Sequence, residues 1–333
     1  MGGSSSVEFA GGRASLPVGA PTQTRLSWLS PLALLRTRFR CKALTPLAFV
    51  PRELGYKGNA FHTRFEAALT RVSAAAYDLL CGQPDASRKP YALIPPLDGL
   101  TEYPATLCFD VELVLIGAAI NHFAACRDAL AQAGKLECGT VSGRFEIDAV
   151  EHVLPATNGP ASGTTTSEAA PAAERCVRAG QLMFLPSAPV ERLTLKLQTP
   201  LRLHNASRQA PTFHALMRSQ LRRAAALAAF DPTVGPEDQA ETAALLKLAK
   251  SVEARDAALT WFDWERASPN KEQWMKLGGY IGSIDFAGDL TPFVPYLRLG
   301  EWLHVGGKTS FGLGKYRLVI PEGAQHGDID RQA

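Results

Sequence analysis

Apolar and polar positions along the chain fall into short patterns that repeat in the same order. Phe61, Phe65, Ala68, Leu69, Val72 and Ala76 recur at helical spacing after Gly58-Asn59, which predicts a helix entered there. Residues 107–116 and 143–154 alternate as half-buried strands do. The second of these slips in register through Phe145, Ile147, Val150 and Val153, which predicts a bulge. Residues 36–50 read as a strand broken at Pro46, and residues 91–94 as a short strand closed by Pro95-Pro96. Residues 118–131 read as an Ala-rich helix ended near Gly134. The order is β-α-β-β-α-β.

The second half repeats that order. Residues 190–203 alternate through Leu193, Leu195, Leu197, Leu201 and Leu203, and Pro211-Thr212 opens a helix carrying Phe213, Leu216, Met217, Leu221 and Leu227. An extra helix is expected at 237–259. Strands follow at 261–266 and 279–286, then a short helix at 291–303 and a last strand at 315–320. Both halves therefore read as the split βαβ unit, predicting an α+β protein of two tandem ferredoxin-like, RRM-like domains with a helical insertion in the second. Residues 24–154 form the first domain and 175–320 the second. A Gly-, Ser-, Ala- and Pro-rich stretch at 155–174 reads as a flexible linker. Residues 1–22 and 321–333 read as loose tails.

Composition changes this picture little. The 333 residues suit two domains, and 46% hydrophobic with 20% charged residues excludes a disordered or fibrous chain. The 28 Gly and 23 Pro predict long loops. The 6 cysteines are scattered with no C-x-x-C pair, so they are expected to be reduced thiols in a cytoplasmic protein. The longest apolar stretch, 111–126, contains Glu112, Asn121 and His122 and is too short and polar to span a membrane. The start lacks a secretory pattern. Its M-G-x-x-x-S match is expected to be a flexible Gly/Ser tail.

Charge is more informative by position than in total. The net charge is only +3. Yet 36–71 holds Arg36, Arg38, Arg40, Lys42, Arg52, Lys57, Arg64 and Arg71 against Glu53 and Glu66. Residues 190–230 hold Arg192, Lys196, Arg202, Arg208, Arg218, Arg222 and Arg223 against Glu191. Both segments cover the first strand and helix of their half. Matched basic elements can line one groove for a phosphate backbone, or be two ordinary solvated faces.

Near the end stands Val305-Gly306-Gly307-Lys308-Thr309-Ser310-Phe311-Gly312-Leu313-Gly314-Lys315. Trp302 occupies the position where a Walker A loop needs glycine, and the spacing fits no dinucleotide fingerprint. By itself the segment is a tight turn needing positive φ, or a backbone that approaches a phosphate.

With residues 299–304 before it, this segment resembles the glycine-rich signature of the RAMP proteins of CRISPR systems. More narrowly, the chain looks like the endoribonucleases that process precursor CRISPR RNA. The likeness runs through Tyr56-Lys57-Gly58-Asn59-Ala60-Phe61, residues 115–119, 199–203, 213–218, 264–268 and 278–282, so it covers roughly 36–320. The loop departs from the pattern in reading Gly306-Gly307-Lys308 rather than Gly-Lys-Gly. The resemblance implies two ferredoxin-like domains and cleavage of repeat RNA with neither metal nor cofactor. In that reaction the 2′-OH attacks the phosphorus and expels the 5′-oxygen, leaving a 2′,3′-cyclic phosphate and a 5′-OH.

Such a reaction needs a base, an acid and cationic donors for the phosphorane. Histidine suits the first two roles. His62, at the entry of the first helix, is the leading catalytic candidate, with Tyr56 and Lys57 beside it; His214 and His304 are alternates. His214, Arg218 and Arg222 share a helix stripe. Arg218, Arg222, Arg223, Gly306, Gly307, Lys308, Gly312 and Gly314 are the expected RNA-binding residues. His122 is expected in a core, while His152, His204 and His326 lack supporting context. Trp261-Phe262-Asp263-Trp264 could stack bases or fill a sheet core. The implied partners are the precursor repeat RNA and other subunits of an interference complex. The rival readings are a non-catalytic RAMP subunit that holds RNA, and a protein-contact scaffold.

Overall fold

The computed structural model describes residues 27–49, 56–83, 88–136, 141–155, 165–167, 172–203, 210–268 and 271–321. Residues 1–26 and 322–333, most of the expected linker, Arg52, His204 and Arg208 lie outside the described residues, and His326 with them.

The first half runs β1 (Ala33–Ala43), β2 (Leu47–Phe49), α1 (Gly58–Val72), α2 (Ala74–Cys81), β3 (Tyr91–Ile94), β4 (Glu102–Tyr103), β5 (Cys108–Ile116), α3 (Phe123–Ala133), β6 (Val141–Ser142) and β7 (Phe145–Val153). Its main sheet has the order β3-β5-β1-β7 with all pairs antiparallel. The strands β4, β2 and β6 form a separate small sheet. Alternation along β1 turns Leu35, Phe39 and Cys41 into a core with Phe61, Phe65, Ala68 and Leu69 of α1, and Cys126, Ala129 and Leu130 of α3. Each large apolar side chain buried there contributes about 1.5–3 kcal/mol. The expected slip appears where the β1–β7 register shifts between Arg40 and Cys41.

Two local expectations are corrected. The first helix breaks at Ser73, whose backbone is extended and whose hydroxyl caps α2 through Ala76 N–H. The segment read as linker contributes β8 (Thr165–Ser167), paired to β7, and α4 (Ala172–Arg175). Beyond it lie β9 (Val177–Arg178), paired to β1, and α5 (Ala179–Leu182).

The second half runs β10 (Arg192–Leu201), α6 (Phe213–Ala228), α7 (Gln239–Leu248), β11 (Glu253–Ser268), β12 (Lys271–Ala287), α8 (Val294–Leu303) and β13 (Tyr316–Val319). Its sheet order, β11-β12-β10-β13, repeats the first half's arrangement, so the molecule is two tandem ferredoxin-like units. The inserted helix is shorter than expected. It is α7 plus a 3-10 turn over Ala249–Ser251, and β11 begins at Glu253. The strands β11 and β12 form a hairpin longer than the rest of the sheet, because β10 reaches β12 only as far as Tyr280.

The halves share one core. Leu34, Ala92, Ile94, Val114 and Ile116, on the side of the first sheet away from α1, pack in one cluster with Leu193, Leu195, Phe213, Phe293 and Trp302. Among the described residues, no helix is long and apolar enough to cross a membrane.

Candidate functional site

The glycine-rich segment follows α8 and is held by its backbone. His304 leaves the helix at φ 62 and ψ 162, a region that side chains rarely occupy. Gly306, Lys308, Gly312 and Gly314 then take φ of 95, 58, 80 and 73. At Gly314 a methyl group would overlap the Val305 carbonyl, so glycine is required there by both torsion and space. Gly307 N–H donates to Arg202 O (2.7 Å), Gly312 N–H to Thr309 O (2.8 Å) and Gly314 N–H to Pro200 O (3.0 Å). Those three N–H groups are therefore engaged within the fold. With the positive φ at Gly306, Gly312 and Gly314, they shape the turn.

The turn carries Phe311 into the first half, where the entry of α1 receives it. Tyr56 OH donates to Phe311 O at 2.8 Å, and the His62 ring stacks on the Phe311 ring at 3.6 Å with 10° between planes. Gly58 has no room for a side chain, since a methyl group would meet both Phe311 O and the Tyr56 ring. His62 is only 1% exposed. Its Nε2 lies 3.0 Å from Tyr91 OH and 3.4 Å from Glu66, and Lys89 closes on Glu66 at 2.7 Å. Burial pushes Glu66 up, but His62 and Lys89 outweigh it and hold the carboxyl below its ordinary range. Burial raises the Tyr56 and Tyr91 phenols well above their ordinary value, so both are protonated donors at neutral pH.

Lys57 turns the other way. Its ammonium reaches Asp98 and Tyr103 OH and lies over the Tyr103 ring at 5.0 Å. Burial draws its pKa down, and Asp98 restores only part of the shift. Lys57, Tyr56, Phe49, Gln198, Pro200 and Phe262 line a cleft where the halves meet. Trp261 bonds Asp263 through Nε1 (2.6 Å) and meets Tyr280 edge-on, while Phe262 packs on Tyr56, Phe311 and Leu313. The Trp264 side chain lies outside the described residues.

The other expected site residues separate into two groups. Arg218 and Arg222 are exposed on α6, and His214 lies with Arg218 and Lys250. Partial burial, then those two cations, lower the His214 pKa. No sequence pattern points to Lys250 here, since it follows α7 and meets α6 only through the fold. Arg223 points inward at 2% exposure and donates Nε–H to Leu303 O at 2.7 Å, so it is a strut rather than an RNA contact in this state. His304 is also buried, and burial, then Lys315 and Arg223, hold its pKa well below the ordinary value. Lys308, half-buried, carries its ammonium 5.7 Å from the Phe311 ring.

The first basic segment faces acids on the neighbouring strands, and Arg36 and Arg38 form ion pairs with them. The register places Arg38 opposite Glu112 and Glu151, Arg40 opposite Asp110, and Lys42 opposite Glu146. Arg36 pairs with Glu112 at 2.7 Å. The acids come from β5 and β7, so counting charge along 36–71 could not show them.

Residues 195–316 match the family model described as CRISPR-associated endoribonuclease Cas6. Residues 32–172 match a separate model described as an N-terminal domain. No curated protein sequence matches the chain. Among solved structures, a Cas6 product complex is similar at TM-score 0.53 and 20% identity, covering 86% of this chain and 99% of that one. Thermus thermophilus Cas6 is similar at TM-score 0.53 and 18% identity, with the same coverage. A partial Cas6-RT-Cas1–Cas2 complex is similar at TM-score 0.55 and 15% identity, covering 91% of this chain and 49% of that one. At these identities the structures share the fold.

Proposed function

We propose that this protein, a CRISPR-associated RAMP-type endoribonuclease by its family match and fold, cleaves the repeat RNA of precursor CRISPR transcripts. The reaction is metal-independent transesterification. A base removes the 2′-OH proton, the 2′-oxygen attacks the phosphorus, and an acid protonates the departing 5′-oxygen. The products are a 2′,3′-cyclic phosphate and a 5′-OH.

The observation that carries this reading is the junction of the α1 entry with the glycine-rich turn. It gathers Tyr56, His62 and Phe311 from opposite ends of the chain. His62 is the base or acid. Because Phe311 covers its ring, RNA seated on the turn must displace Phe311 for the imidazole to meet a ribose hydroxyl. Lys57 and Lys308 supply positive charge to the phosphorane, and Arg218 and Arg222 bind flanking phosphates.

The test is incubation of the protein with its repeat RNA in EDTA. Single-site cleavage leaving a cyclic phosphate is expected, with a loss of about 10²-fold or more in His62→Ala. One observation favours the rival reading, a RAMP subunit that holds RNA without cutting it: the Tyr56, His62 and His304 side chains are all buried. Tight binding with no cleavage by the wild type would establish that rival.

A further inference from the structure

Lys315, one residue beyond the last loop glycine, ties the turn to both halves of the molecule. Its backbone N–H donates to Thr199 Oγ1 at 2.8 Å. Its carbonyl accepts from Gln198 N–H (2.9 Å) and Thr199 N–H (3.1 Å). Its ammonium crosses to the first half and meets Glu112 at 2.7 Å, with both side chains nearly buried. The same carboxylate receives Arg36, so β1, β5 and the end of the turn converge on one group.

Thr199 is the second tie, at 1% exposure. While accepting from Lys315 N–H, its hydroxyl donates to Gly312 O at 2.8 Å. One oxygen thus spans the last four residues of the turn. The shape of β10 makes this possible. Its ladder with β12 is interrupted between Leu197 and Leu201, and the intervening backbone turns to the loop instead, with Pro200 O accepting from Gly314 N–H. A regular strand would have used those groups within the sheet.

We infer that Thr199 and Lys315 are positioning residues for RNA cleavage, the bulge hydroxyl and the cross-domain ion pair together setting Gly312–Lys315, and through Phe311 the turn, against Tyr56 and His62. The cleavage part of this inference rests on the function proposed above, whereas the loop-setting part concerns the protein without RNA. A Thr in a strand bulge carries no sequence signal for this role, because Gly312 lies 113 residues away.

Thr199→Val keeps the side-chain volume and removes the hydroxyl, and Thr199→Ser restores it. The first measurement is amide hydrogen exchange of the 305–316 segment in the full chain without RNA. Thr199→Val is expected to exchange at least about tenfold faster there, and Thr199→Ser to return to the wild-type rate. The second measurement is the kinetics of repeat-RNA cleavage. Thr199→Val is expected to lose about tenfold in kcat with KM little changed, and Thr199→Ser to recover it.

Wild-type exchange in Thr199→Val would overturn the inference. So would faster exchange with unchanged kcat, since the bond would then be merely structural. Faster exchange in a protein whose wild type does not cut RNA would uphold the loop-setting part and remove the proposed reaction. If Thr199→Val does not fold, Glu112→Gln reads the same segment from the other half. It is expected to show the same pattern, and wild-type exchange and kcat there would overturn the inference.

Discussion

Glu112 shows how a single residue takes its properties from the fold. Burial by itself would raise its pKa, but Lys315 and Arg36 outweigh that and hold the carboxyl well below its ordinary range. The unfolded chain takes up this proton near the ordinary 4.5, and the folded protein only at lower pH. The unfolded state therefore binds more protons between those values, and stability falls as pH drops below about 4.5. The slope from this one group is about 1.4 kcal/mol per pH unit. Denaturant titrations from pH 6 downward should show that acid limb in the wild type and a shallower one in Glu112→Gln. Lys315 acts in another window. Burial and Arg36 lower it to about 8, against the pull of Glu112. Between about 8 and 10.5 the unfolded chain still holds the proton that the folded one has released, so stability gains with pH there. His62 makes the same point for the site. Its place at the α1 entry is evident from the sequence, but its burial under Phe311 depends on a residue 249 positions away.

At the scale of elements, α6 combines two kinds of arginine that look alike in the sequence. Arg218 and Arg222 sit one turn apart on the exposed face, while Arg223, the next residue, faces the core and bonds the end of α8. Arg218→Ala and Arg222→Ala should each weaken RNA binding and flatten its salt dependence, by about 0.7–0.9 in log–log slope for each phosphate no longer neutralised. Arg223→Ala should leave that slope alone and cost about 1–3 kcal/mol in stability, through the charge-assisted bond it removes. Binding isotherms at several salt concentrations, paired with denaturant melts, separate the two outcomes. The hundred-degree spacing of helix residues makes the contrast legible in principle, since 222 and 223 must face differently. The sequence could not say which of the two faces inward. The strand β1 shows a stricter limit. Its alternation places Arg36, Arg38, Arg40 and Lys42 on one face, but the acids that answer them come from β5 and β7.

Taken whole, the molecule is two like units that share a core, with Leu34, Val114 and Ile116 packed in one cluster with residues of the second half. Either half alone would expose that apolar surface. A single cooperative unfolding transition is therefore expected, with calorimetric and van't Hoff enthalpies in agreement. Two resolved transitions would show that the shared cluster contributes little. The sequence by itself determined the two βαββαβ units, the helix entries at Gly58 and Thr212, the strand slip in the first half and a turn of positive φ near the C-terminus. Those follow from alternation, helical spacing and steric limits, which act within a few residues. The tertiary structure alone decided that Arg36 and Arg38 meet acids from β5, that Arg223 and His304 are interior, that Phe311 covers His62, and that Thr199 bonds Gly312 and Lys315. Each of those depends on groups far apart in the chain but within hydrogen-bonding or ring-stacking distance in space, where desolvation and Coulomb attraction change steeply with position. Local pattern can specify the elements and their order, but the state of a buried charge is set by what the fold places beside it.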